Sequence, residues 1–527
     1  MTQRIRLNEE NRRWWTLGAM CFALFMTMLD NTVVNVALPS IQDDLGASLS
    51  GLEWTVNAYT LTFAVLLVTG GRLGDIFGRR MVFLGGVLVF ALSSAAIGFA
   101  PTQGWLVAGR ALQGVGAAFM MPGTLSIITN AFPAEERGKA IGTWAGVSAL
   151  ALAIGPVVGG ALAEYVSWRA IFFLNLPVAA GAVAVTLFAT LESRDETVDR
   201  TVDWAGIASL SIGLTALVLA LVEGNAWGWG SPEIVALLAA AVIGLTSFAV
   251  LERRVKAPMV DFTYFRSSTF LGSNLVAFIV TFVMLAMFFF TALYMQNFLN
   301  YSALEAGLRF LPSTALIIVV APIAGRLADT VGPRRLMVTG LLFISAALYV
   351  QTYISVDSGY GVLLPAFVLL GVGMGLVMSP MSTAAMNAVD PSKAGGASGI
   401  LTMSRMVGGT FGVAAFGALF SHLSSGRLEE RLSGTGISAT QRESLVEKIG
   451  SGAGADRLSG LDPAAAAQVG RAVEESFIHA LSSGMWLATG VALLGALIAA
   501  VTIKDRLAER EPAQPVARGL ETEAVGV

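Results

Sequence analysis

The sequence predicts an all-α membrane protein of fourteen transmembrane helices arranged as two duplicated bundles. Three observations carry this expectation. The chain is 55% hydrophobic and only 13% charged, with a mean hydropathy of +0.70, against about 25% charged residues in a soluble domain. It holds fourteen apolar runs long enough for a hydrocarbon slab about 30 Å thick, which takes about 20 helical residues. Two ten-residue stretches, Gly71–Arg80 (GRLGDIFGRR) and Gly325–Arg334 (GRLADTVGPR), lie 254 residues apart and agree at six of ten positions. Each copy ends one apolar run and precedes another. A charged turn repeated at half the chain length marks a duplication, and paired bundles with a site between them are the architecture of secondary transporters.

The runs cover residues 14–36, 52–71, 81–100, 105–127, 140–162, 169–190, 203–222, 233–251, 268–292, 305–325, 335–354, 361–384, 397–420 and 477–501. The first is too long for a signal peptide and lacks a small-residue cleavage site, so it reads as a retained span. Lys and Arg fix the orientation. Arg4, Arg6, Arg12 and Arg13 precede the first span, and alternate loops carry Arg79 and Arg80, Arg137 and Lys139, Arg194 and Arg200, Arg253 to Arg266, Arg334 and Arg335, Lys393, then Lys504 and Arg506. The intervening short loops hold Asp43, Asp44, Glu223, Glu233 and Asp357. Both termini are therefore expected in the cytoplasm. Residues 421–476 are polar and rich in Gly, Ser and Ala; they read as an external loop, helical at 440–447 and 463–475, and their deletion over 425–470 is expected to spare transport. Residues 507–527 have the charge and proline content of a disordered tail.

Composition also excludes functions. A net charge of −3 offers no basic surface for nucleic acid, the single Cys21 rules out an intrachain disulfide, and His422 and His479 are too few for a metal centre. No G-x-x-x-x-G-K-[ST] loop is present, so the chain carries no ATPase of its own. The glycines of Gly371–Gly375 lie in an apolar run without a preceding strand and read as helix packing.

The motifs place charge inside the membrane. Asp30, in LDNTVVNVALP, lies sixteen residues past Trp14, about 24 Å up the first helix. Such a carboxylate is costly unless paired, protonated or facing water; the plainer reading, a cap for the next segment, conflicts with the apolar Val33, Val34, Val36 and Leu38. Arg110 in the fourth span lies about 8 Å below Trp105, at comparable depth, with Gln113 one turn further on. An Asp30–Arg110 ion pair is the expectation, with outward snorkelling of Arg110 as the alternative. Gly155, Pro156, Gly159 and Gly160 in the fifth span form either a helix-packing seam or a functional bend. In the repeated turns, Asp75 and Asp329 stand near helix ends with arginines following, an arrangement able to latch two helices. Arg405, about 12 Å from the inner surface, has no acidic partner in the last two spans; lining a cavity and snorkelling fit it equally.

Together these residues resemble the major facilitator superfamily, and within it the fourteen-spanner drug:proton antiporter branch of EmrB/QacA type. Gly71–Arg80 resembles the signature turn between spans two and three, Arg110 with Gln113-Gly114 the fourth-span motif, Gly155-Pro156 with Gly159-Gly160 the antiporter motif, and LDNTVVNVALP the first-span motif. The resemblance implies two six-helix bundles, 14–190 and 268–501, the latter including loop 421–476, with two inserted helices at 203–251. Residues 1–13 and 507–527 are then the cytoplasmic N-terminus and tail. It also implies Asp30 as the proton-linked carboxylate, Arg110 as its partner, and a cytoplasmic gate of Gly71, Asp75, Gly78, Arg79 and Arg80 with Gly325, Asp329 and Arg334. Substrate-cavity candidates are Asp30, Asn31, Asn35, Asn57, Tyr59, Gln113 and Arg405. The second turn departs from the pattern with Pro333 in place of Arg79, and Phe367 stands where a second Arg110 would be. Coupling is accordingly expected in the first bundle.

The expected function is proton-driven export of amphipathic, cationic small molecules by a monomer in the inner membrane, in contact with lipids, with no cofactor, no metal and no enzymatic activity. The alternative is an exporter of one dedicated metabolite, antibiotic or lipid. From another class, a membrane-embedded enzyme or receptor would show its buried polar residues at one water-accessible face rather than between bundles.

Overall fold

The computed structural model describes residues 8–46, 49–194, 203–255, 258, 260, 262–301, 303–356, 358–432 and 463–505. Among the described residues the regular elements are all helical: α1 (Glu9–Leu45), α2 (Leu49–Phe77), α3 (Arg79–Gly98), α4 (Gln103–Ala131), α5 (Ala134–Tyr165), α6 (Trp168–Ala189), α7 (Trp204–Trp227), α8 (Pro232–Glu252), α9 (Ser268–Asn297), α10 (Leu311–Val331), α11 (Pro333–Gln351), α12 (Tyr360–Asn387), α13 (Ala394–Leu432) and α14 (Pro463–Thr502). A short helix, Ala303–Arg309, precedes α10. Thirteen of the long helices are apolar enough to cross a bilayer; the other, α5, carries no ionisable residue between 140 and 163.

Helix starts are written in side chains. Asn8, Thr102, Ser167, Asp203, Ser231 and Ser267 each accept a backbone N–H from the first turn of the helix that follows, satisfying donors that have no partner within the helix. The two repeated turns instead use glycine. Gly78 has φ +119° and Gly332 φ +93°, a region side chains rarely enter. The space a Cβ would need is already filled, by the Glu192 carboxyl at Gly78 and by that of Asp505 at Gly332.

Packing follows the duplication. In the first half α1 lies on α5 and α6, and α2 and α3 lie on α4; in the second, α9 lies on α13 and α14, and α12 on α10 and α11. Glycines let backbones approach closely, Gly86 against Gly116 and Gly340 against Gly373. The halves meet where α5 crosses α10 and where α13 crosses α2 and α4. The pair α7–α8 stands beside this seam, with α7 touching α2 and α13.

The region expected as an external loop, 421–476, differs from expectation at its start, while the helix expected at 463–475 is present and continuous with the last span. Helix α13 runs on to Leu432 and α14 begins at Pro463. The apolar run ends near Phe420, but Leu428, Leu432, Val469 and Val473 keep one face buried beyond it. An Arg431–Glu475 ion pair of 2.8 Å fastens the two extensions. Residues 433–462, which include the helix expected at 440–447, lie outside the described residues, as do 1–7 and the tail.

These extensions revise the expected deletion. Removing 425–470 takes away three buried side chains, Leu428, Leu432 and Val469, each contributing about 1.5–3 kcal/mol. Replacing only 433–462 by a short Gly/Ser linker should leave the melting temperature in detergent unchanged, while the 425–470 deletion should lower it by several degrees. Equal melting temperatures for the two would show that the extensions are not part of the fold.

Candidate functional site

At the centre of the first half, one carboxylate is enclosed by four helices. Asp30 of α1 accepts from Arg110 Nη1 of α4 (Oδ2, 2.5 Å), from Gln113 Nε2 (Oδ1, 3.0 Å) and from Asn175 Nδ2 of α6 (Oδ1, 3.0 Å). Gln113 and Asn175 each donate also to Ser94 Oγ of α3, at 2.8 and 2.9 Å. Arg110 is held in turn by Gln113 Oε1 (2.7 Å) and by the Thr55 carbonyl of α2 (3.1 Å), and its guanidinium lies 4.3 Å from the centre of the Tyr59 ring. Asp30 and Arg110 are each 1% exposed. A charge so removed from water is tolerable only when paired and fully hydrogen-bonded, and this network meets that demand from every side.

The network adjoins the glycine motif of α5. A Cβ at Gly155 would overlap the Thr32 hydroxyl, and one at Gly159 would press on Val33, so α5 touches α1 within three residues of Asp30. Gly160 is half-buried, and the side chain of Pro156 lies outside the described residues. Helix α5 passes through Pro156 without interruption.

The two repeated turns lie at one end of the molecule, the turn face, and each carboxylate crosses to the other half. Asp75, fully buried, accepts from Gly395 N (3.0 Å) and Gly396 N (2.6 Å) at the start of α13. Arg79 binds the same carboxylate through Nε (2.9 Å) and Nη2 (2.6 Å) and also donates to the Ser392 carbonyl. At the second turn, the Asp329 carboxylate of α10 lies against Gly138 near the start of α5, where it would overlap any side chain. A negative charge at a helix N-terminus meets both unpaired N–H groups and the positive end of the helix dipole. Gly71 packs on the Gly395 carbonyl and Gly325 on that of Gly138; any side chain there would hold the halves apart. Arg137 to Asn387 (2.9 Å) and Asn130 to the Pro391 carbonyl (3.1 Å) add further ties. In the loop before α13, the Asp390 carboxyl is held below the usual carboxylate range by the Ser392 N–H at 2.8 Å. The turn face is closed.

Other expected residues are placed differently. Arg80 turns away from Asp75, its Nη2 donating to the Leu187 carbonyl (3.2 Å), and Arg334 is exposed. Tyr59 and Gln113 lie inside the bundle at 1% and 0% exposure, beneath any cavity wall in this conformation. Asn31 and Asn57 are half-buried, and the Asn35 side chain lies outside the described residues. Arg405 is half-buried on α13, with Nη2 donating to Ser382 Oγ of α12 at 2.5 Å.

Four further residues belong to these arrangements. Ser94 and Asn175 complete the Asp30 shell; Asn175, an amide within an apolar helix, is the detectable one. Glu192 and Asp505 each stand three residues past the last helix of their half. Glu192 accepts from Arg80 N (2.9 Å) and Met81 N (3.1 Å) at the start of α3, and Asp505 from Arg334 N (3.0 Å) at the start of α11. No motif announces them.

A duplicated helical bundle whose signature turns latch across the halves also has counterparts among known proteins. The model of the Major Facilitator Superfamily matches residues 20–413. The chain belongs to that superfamily. It is a transporter, not an enzyme. It is 35% identical to the tetracenomycin C resistance and export protein of Streptomyces glaucescens, covering 95% of this chain and 94% of that one. It is 32% identical to the multidrug transporter protein MdtP of Bacillus subtilis, over 80% and 78% of the two chains. The solved structure of the proton:xylose symporter XylE shares the fold, with a TM-score of 0.60 at 13% identity over 93% of this chain and 95% of that one.

The latches yield a population prediction. Asp75→Asn removes the charge from four hydrogen bonds, and bonds to a charged group are worth about 1.5–3 kcal/mol each at most. The open turn face should gain about tenfold or more in population, and Asp329→Asn, which loses no arginine contact, should gain less. Electron–electron distance measurements between spin labels at Phe77 and Val331 will show a longer-distance fraction in this order. Unchanged distances in Asp75→Asn contradict the latch.

Proposed function

We propose that the chain exports amphipathic organic compounds across the cell (inner) membrane in exchange for protons, acting as a monomer with its termini and turn face in the cytoplasm. The observation that carries this reading is the enclosure of Asp30: an intramembrane carboxylate, matched to Arg110, in the half that also holds the antiporter-like glycine seam. The Lys/Arg-rich loops support the orientation, and relatives named for resistance and multidrug transport support the class of cargo.

The geometry suggests how proton and gate are linked. With Asp30 ionised, its carboxylate holds α1, α4 and α6 together through Arg110, Gln113 and Asn175. Protonation removes the charge and leaves the Arg110 guanidinium uncompensated in a dry site, so the network must rearrange. Helix α5 meets α1 at Gly155 and Gly159, and about 26 Å away along the same helix its first turns pack against the Asp329 carboxylate. A shift of α1 on α5 is thereby carried to the latch between the halves. Each pH unit supplies about 1.4 kcal/mol per proton and each 100 mV about 2.3 kcal/mol per charge. That work reaches the cargo only if proton and cargo occupancy are mutually dependent.

Asp30→Asn keeps the hydrogen-bonding shape but cannot exchange a proton. In proteoliposomes with an imposed pH gradient, the wild type should concentrate substrate, while Asp30→Asn should only equilibrate it. Undiminished uphill transport by this variant would place the coupling group elsewhere.

A further inference from the structure

From the arrangement around Arg405 we infer that the exported compounds carry an anionic oxygen, such as a carboxylate or an ionised phenol, on an apolar ring system, and that Arg405 receives it. The inference rests on the export reading and assigns the class of cargo within it.

Arg405 lies eleven residues beyond Ala394 in α13, about 16 Å along the helix. Its direction is fixed by a neighbour. Ser398, seven residues earlier, donates to the Pro122 carbonyl of α4 in the other half at 2.7 Å. Seven residues are nearly two full turns, so Arg405 leaves α13 on that same face, toward the seam between the halves. Met403 and Met406 beside it pack on the apolar cluster of the first half that contains Trp144.

The polar groups at this seam are donors awaiting an acceptor. Arg405 has one neutral partner, Ser382 Oγ, while its Nε is buried with none, and no carboxylate pairs with it among the described residues. Trp144 of α5, 5% exposed, has a buried indole N–H without an acceptor. A guanidinium so placed is costly unless an anion meets it, and its planar fork suits carboxylate-like oxygens. Asp30, the residue that suggested cationic cargo, is already engaged by Arg110, Gln113 and Asn175. The charge of Arg405, by contrast, is met by no carboxylate among the described residues.

The test uses purified protein in proteoliposomes with a pH gradient and three dyes of similar size: fluorescein (anionic), Nile red (neutral) and rhodamine 123 (cationic). The wild type should concentrate fluorescein. R405Q should raise the KM for fluorescein at least about tenfold, the loss expected for a charge-assisted contact, and R405K, which keeps the charge but not the fork, should raise it less. If R405Q does not fold, as judged by size-exclusion profile, W144F takes its place and should raise the KM for fluorescein while leaving that for Nile red unchanged. Concentration of rhodamine 123 but not fluorescein, or fluorescein transport by R405Q or W144F equal to wild type, overturns the anionic assignment and leaves export standing. Failure to concentrate any dye defeats the export reading and this inference with it.

Discussion

A carboxylate and a guanidinium, both sealed from water, must satisfy one another, and the first half of the molecule is built around that requirement. Removing either member of a buried pair leaves an uncompensated charge costing about 3–5 kcal/mol, whereas an apolar replacement of both is often neutral. The Asp30–Arg110 pair is therefore poorly explained as a source of stability. It is better explained as a conditional contact that one proton can cancel. Ser94, Gln113, Asn175, the Thr55 carbonyl and the Tyr59 ring surround the pair, so its disruption is felt on every helix that contributes.

In the proposed mechanism the repeated turn converts that local event into a choice between conformations. Each copy sets a carboxylate against the start of a helix in the opposite half, Asp75 bonded to the first N–H groups of α13 and Asp329 packed on Gly138 of α5. Each is braced from within its own half by a carboxylate at the helix that follows, Glu192 or Asp505. The copies are unequal. Arg79 locks Asp75 from its own side, while Pro333 leaves Asp329 without such a partner. The weaker latch is the one on α5, the helix that also touches α1 beside Asp30. That placement puts the softer closure on the helix that packs beside the proposed proton site.

Much of this was legible in the sequence because membrane and charge constrain it tightly. Fourteen runs became helices since a bilayer leaves the backbone no other partner. Asp30 and Arg110 were matched by depth alone, and the turns by their identity to one another. What could not be read were contacts set by three-dimensional closure. Nothing in the spacing of Ser94, Gln113 and Asn175 says that the two amides both bind Asp30 Oδ1 and Ser94 Oγ. Glu192 and Asp505 are ordinary residues in polar tails until the turn they cap is folded beside them. Tyr59 and Gln113 carried the right chemistry for a cavity wall, but their position on the helix faces inward. The extension of α13 to Leu432 escaped a hydropathy reading because only one face remains apolar beyond Phe420.

The central claim is that Asp30 carries the proton exchanged for cargo. Its most direct measurement is proton release when a transported compound is added to detergent-solubilised protein in weakly buffered solution, read with a pH-sensitive dye. The account predicts proton release from the wild type on substrate binding and none from Asp30→Asn that still binds the compound. Equal release from both proteins would contradict it.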